Sequence, residues 1–143
     1  MSAEIATAII TASSGLVLAS ASYWFTKRQE READLRRQKL EHYKDFALSL
    51  SGIVFGDATP EGQRTFAKAC NNLNLVAPQS VIDALQAFQQ EIKVSNHSQS
   101  QENHDLLMSR LFYEMRKDIG VTPADDLNSF RVGLWASGAP PKL

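Results

Sequence analysis

Three histidines and one cysteine carry much of the reactive potential of this 143-residue chain. Arg37 and His42 form an Arg-x4-His pattern inside a charged, helix-forming stretch. Five positions apart, their side chains leave an α-helix in quite different directions. His97 and His104 flank a polar stretch, and no HExxH or helical ExxH motif accompanies any histidine. Metal binding needs several ligands at suitable spacing, so neither a metal site nor a cofactor is expected. His97 and His104 read as solvated loop residues. Cys70 falls on an apolar helical face with Lys68 as its basic neighbour, and reads as a small buried hydrophobe rather than a nucleophile. A single cysteine also excludes an intrachain disulfide framework. No GxxxxGK[ST], GxGxxG or GxSxG occurs, which leaves phosphate loops and hydrolase elbows without support.

A second charged cluster is Met115-Arg116-Lys117-Asp118-Ile119-Gly120. It reads as a helix end whose Arg116 and Lys117 favour the negative pole of the helix dipole. Asp118 is then placed to accept hydrogen bonds from a basic residue of the helix that carries Arg37. That is a structural role, not a catalytic one.

The elements that must position these residues follow from how charge is distributed. Lys and Arg total 15 against 16 Asp and Glu, a net charge of −1, so nucleic acid is not an expected partner. Apolar residues are 43% and charged residues 22% of the chain, which excludes wholesale disorder. Yet residues 5–25 contain no charge at all. Those 21 positions make a helix about 30 Å long, the thickness of a bilayer's hydrocarbon core. Tyr23 and Trp24 lie near its end, where amphipathic rings prefer the headgroup level, and Lys27 and Arg28 follow. The positive-inside bias predicts an inner-membrane span with the N-terminus outside and the rest cytoplasmic. Two competing readings are a signal peptide cleaved near Ala19-Ser20-Ala21 and a buried core helix. The first lacks a basic n-region; the second draws on the many small residues.

Of the 21 residues, 12 are Ala, Ser, Thr or Gly. Thr7, Ala8, Thr11, Ser14 and Gly15 gather on one side, and the Thr7-x3-Thr11 … Gly15-x3-Ala19 spacing suits close helix–helix approach. The reading is a self-association face; a narrow wet path lined by Thr7, Thr11 and Ser14 is the alternative. Beyond it, residues 26–51 lack Gly and Pro and are dense in helix formers. Pairs such as Arg28–Glu32 support an exposed helix, so residues 26–39 read as a charged stalk continuing the membrane helix. Ala33, Leu40, Tyr43, Ala47, Leu50 and Val54 approximate an a/d stripe leading into a folded domain.

Residues 52–59 read as a loop, and Thr59-Pro60 as an N-cap with proline at the first helical position. Phe66, Ala69, Cys70, Leu73 and Val76 mark the next apolar face. Ala77-Pro78 separates it from a helix bearing Val81, Leu85, Phe88 and Ile92. Residues 95–103 are Ser/Gln/Asn/His-rich and read as a flexible loop. A helix over 104–119 carries Leu107, Leu111, Met115 and Ile119, and Gly120 stops it. Thr122-Pro123 predicts a further short helix with Leu127 and Phe130, before a tail at 137–143. The fold expected is all-α: a transmembrane helix over 1–25, a stalk over 26–39 and a cytosolic four- to five-helix bundle over 40–136.

Two resemblances arise from these residues. The Arg37-x4-His42 pattern resembles the motif of HEPN ribonucleases. It implies a histidine acting on a 2′-hydroxyl proton and an arginine stabilising phosphate charge across a dimer. Here it sits on the first cytosolic helix, whereas those enzymes usually carry it late, so catalysis is not the favoured reading. The span, the stem, Asn72-Leu73-Asn74-Leu75-Val76-Ala77-Pro78 and the 115–120 cluster are similar in layout to small single-pass bacterial proteins. That layout is also similar to the HEPN-like transmembrane accessory proteins of type VI CRISPR loci. The likeness implies a non-enzymatic homo-oligomer that forms a pore or scaffold in antiphage defence. Its partners would be itself, the lipid bilayer and a cytosolic defence protein. A plain membrane tether that recruits a partner is the third reading.

Overall fold

The structure, a computed structural model, describes residues 3–54 and 58–134, with the side chains of residues 3, 4 and 6–14 outside that description. The described residues are all-α. Four helices follow in order: α1 (Ala3–Ser49), α2 (Pro60–Val76), α3 (Gln79–Ile92) and α4 (Gln101–Asp118), with a 3₁₀ turn over Leu50–Ile53 after α1. No described helix is long and apolar enough to cross a membrane. That statement does not take in the side chains of 6–14, which make up much of the uncharged run.

The chain divides into two compact units, one up to Gln38 and one from Lys39 onward. In the first, α1 runs on without a break, as a Gly/Pro-free stretch of strong helix formers should. Its described side chains are exposed, including Leu16, Val17 and Leu18. Lys27–Glu30 (2.7 Å) and Arg28–Glu32 (3.0 Å) are local pairs along it.

In the second unit, Tyr43, Phe46 and Leu50 from the end of α1 join a core with Phe66, Cys70 and Leu73 of α2, Val81, Leu85 and Phe88 of α3, and Met108, Leu111 and Met115 of α4. The stripe expected on α1 is therefore shifted. Phe46 is wholly buried and stacks against Phe66 at 5.7 Å, whereas Leu40 is exposed and Ala47 and Val54 are only half-buried. A large ring outweighs regular spacing, because burial energy scales with apolar area. On α2, Phe66, Ala69, Cys70 and Leu73 are buried as expected, with Val76 half-buried.

The helix ends follow local chemistry. Thr59 Oγ1 accepts from the Gly62 amide at 3.0 Å, and Pro60 takes the first helical position. Gly120, at φ 71°, closes α4 while the amides of Gly120 and Val121 donate to the carbonyls of Lys117 and Arg116. This is the left-handed glycine stop that reverses a chain at a helix end. The loop expected over 52–59, of which 55–57 lie outside the described residues, is corrected at its start: Gly52 belongs to the 3₁₀ turn and lies against α2. A Cβ on Gly52 would stand 2.6 Å from the Gly62 Cα, and one on Gly62 would stand 2.6 Å from the Gly52 Cα. The two backbones meet where no side chain fits.

Two further expectations are corrected. The helix expected from His104 begins at Gln101, because Ser100 caps it by accepting from the Asn103 amide at 3.1 Å. The short helix expected after Thr122-Pro123 is absent among the described residues. That peptide bond is cis. Asp126 accepts from the amides of Asn128, Ser129 and Phe130, making one unextended turn around Leu127. The Val132 amide donates instead to Ser109 Oγ on α4 at 3.0 Å.

Candidate functional site

The richest polar arrangement in the second unit is built around Glu91, near the end of α3. Its position in the helical register, three residues after Phe88, turns it inward, and it is 93% buried (7% exposed). Its carboxylate accepts from the Ser100 amide (2.9 Å), Asn103 Nδ2 (2.6 Å) and Asn96 Nδ2 (3.3 Å). Asn96 also donates to the Glu91 carbonyl, and Gln99 to that of Lys93. The stretch 95–103 is thus pinned to the end of α3 and into the first turn of α4. The Ser100 amide foremost, then the two asparagine amides and nearby His104, hold the Glu91 carboxyl below the usual glutamate range, against the opposing effect of burial.

Glu91 also forms part of the wall of a cavity of about 730 Å3 between the 3₁₀ turn, α2, α3 and α4. The wall is apolar along Phe66, Phe88, Ile92 and Met108, and carries Glu91, His104 and Asp105 as its titratable groups among the described residues. His104 is not the freely solvated loop residue expected. It lies on α4, half-buried, with its ring 5.3 Å from that of Phe88 and Nδ1 3.0 Å from Asp105. His97 is exposed.

A second polar cluster joins α1 to α4. Asp118 accepts from Lys39 Nζ at 2.9 Å and from the Tyr43 hydroxyl at 2.7 Å. The basic partner expected for Asp118 on α1 is therefore Lys39. Burial first, and then the Asp118 carboxylate, push the Tyr43 hydroxyl's pKa upward, so Tyr43 remains a proton donor. Beyond α4, Arg116 grips Asp125 with two bonds of 2.6 and 3.1 Å and lies over the Phe130 ring. Glu114, on the buried face of α4, pairs through Oε1 with Arg110, leaving Oε2 enclosed without a partner among the described residues.

The residues singled out in the sequence fall as follows. Arg37 is exposed in the first unit, whereas His42 belongs to the second, half-buried, with Nδ1 enclosed and unpartnered among the described residues. Tyr23, Trp24, Lys27 and Arg28 are exposed, with the Arg28 guanidinium 5.7 Å from the Trp24 ring centre. Gly15 and Ala19 are exposed, and a Cβ on Gly15 would meet nothing within 4 Å. The side chains of Thr7, Ala8, Thr11 and Ser14 lie outside the described residues. Cys70 is buried, and burial raises its thiol pKa, which makes it a poor nucleophile. No group of three His, Cys, Asp or Glu side chains among the described residues is arranged to hold a metal ion.

Sequence reasoning missed Glu91 and its asparagine partners. The available signal was a carboxylate at an apolar-face position followed by a stretch rich in amide side chains. No protein-family model, curated protein or solved structure matches the chain.

Proposed function

We propose that the chain is a non-enzymatic, single-pass membrane protein that self-associates through its N-terminal helix and presents a helical bundle to the cytoplasm. The supporting observation is the exposure of Leu16, Val17 and Leu18, each 68–70% exposed, within a run of 21 uncharged residues. Consecutive large apolar side chains left exposed on a helix need lipid or neighbouring helices to cover them. Tyr23, Trp24 and Phe25, exposed just before Lys27 and Arg28, match the composition of a membrane–water boundary. The small residues at Gly15 and Ala19 allow close approach of another copy. The layout likeness adds antiphage defence as the setting, and membrane perturbation by a pore or scaffold as the act.

The test is the mass of the full-length protein in mild detergent, compared with its Gly15→Leu variant. A ring-sized particle that falls to monomer or dimer on substitution supports the reading. A monomer in both cases overturns self-association and leaves a plain tether. RNA degradation by the purified chain, lost in His42→Ala, would replace the reading with a nuclease.

A further inference from the structure

The cavity beside Glu91 differs from an ordinary packing gap in both size and charge. At about 730 Å3 it lies within the range that accepts a small organic molecule. Its apolar wall includes Phe66, Ile92 and Met108, with wholly buried Phe88 behind them. Glu91 and Asp105 contribute carboxylates to that wall, His104 beside Asp105 is its one basic side chain, and no lysine or arginine is among its described residues.

The state of Glu91 carries the argument furthest. Its three side-chain hydrogen bonds all come from neutral amides, and it forms no salt bridge with Lys, Arg or His among the described residues. Neutral donors satisfy lone pairs but leave the negative charge in place. A buried charge of this kind is normally paired. One oxygen, Oε1, accepts a single bond from Ser100, so it retains capacity for another donor. Asp105 does meet His104 at 3.0 Å, yet it is more than half exposed and also serves Gln101.

We propose that this cavity binds a small organic ammonium, with the cationic head between Glu91 and Asp105 and an aromatic or short aliphatic body against Phe66, Ile92 and Met108. An anion would meet two carboxylates, and a neutral alcohol would leave the Glu91 charge unpaired. The inference is independent of whether the chain spans a membrane.

The methionines make a local test. Met108 lies on the cavity wall, whereas Met115 is in the core and away from it. The full-length chain, labelled with 13C at its methionine methyls and with any lipid present zwitterionic, is titrated with 2-phenylethylammonium, 2-phenylethanol and phenylacetate. The ammonium should shift the Met108 signal saturably and leave Met115 in place. The alcohol should bind at least about tenfold more weakly, and phenylacetate not at all. Asp105→Asn, at an exposed position, should weaken the ammonium by about two- to fivefold without unfolding the chain. Glu91→Gln should abolish the preference for the ammonium over the alcohol. Equal binding of alcohol and ammonium overturns the proposal, as does an unmoved Met108. Residues 135–143 continue directly from Leu134, which lies on the cavity wall. If only a chain ending at Leu134 binds the ammonium, the chain's own C-terminal residues are the occupant and the proposal fails.

Discussion

At single residues, the carboxylates predict how the second unit responds to acid. Glu91 and Asp125 both have folded pKa values held below their ordinary values of 4.5 and 3.8. Ser100 and the asparagines act on the first, and Arg116 on the second. A depressed folded pKa contributes stability that is complete above the ordinary value and is lost as pH falls through the folded value. Tm should therefore hold steady above pH 5 and decline below about pH 4.5, and Glu91→Gln should flatten much of that decline. A wild-type Tm constant down to pH 3 would remove the network from the account. Glycine gives a second prediction at this scale. A methyl on Gly62 would stand 2.6 Å from the Gly52 Cα. Gly62→Ala should cost about 1–3 kcal/mol or more in urea unfolding, the penalty for overpacking a tight contact. The same change at exposed Gly15, where a Cβ meets nothing within 4 Å, should leave the stability of the second unit unchanged.

Among elements, the α1–α4 seam depends on one phenol and one amine converging on Asp118. Tyr43→Phe removes the 2.7 Å bond while keeping the ring in the core. It should lower stability by about 1.5–3 kcal/mol, as for a hydrogen bond to a charged group. Phe46→Ala, which empties a fully buried site, should cost about 3–5 kcal/mol. Both are read from shifts of the urea midpoint at constant slope. The helix boundaries that the sequence made legible are those written in short-range chemistry: Thr59-Pro60, Ala77-Pro78 and Gly120. Asp118 was legible too, since a carboxylate at the negative pole of a helix calls for an external donor. Phe46 was not, because its neighbours Lys44 and Asp45 mask the apolar face. The Glu91 network was not, because its donors come from a loop whose polarity suggested slack. Thr122-Pro123 carries the same cap-and-proline signal as Thr59-Pro60. There Ser109 and Arg116 on α4 instead engage Val132 and Asp125 from outside the segment.

For the whole molecule, assembly is the property to measure, and Gly15→Leu is expected to reduce particle mass while leaving the second unit's thermal unfolding intact. A simultaneous loss of both would mean that the substitution acts through folding rather than through a helix–helix face. The Gly52–Gly62 contact has a genetic corollary for the same chain. Most damaging enlargements in a packed interior can be relieved by shrinking a neighbour. Here each neighbour is already the smallest residue, so neither position can compensate for the other. A random screen for suppressors of Gly62→Ala should recover changes that lengthen or redirect residues 54–59, and none at Gly52. Enlargement at either glycine therefore has no remedy at the other, and relief must come from the backbone that carries them.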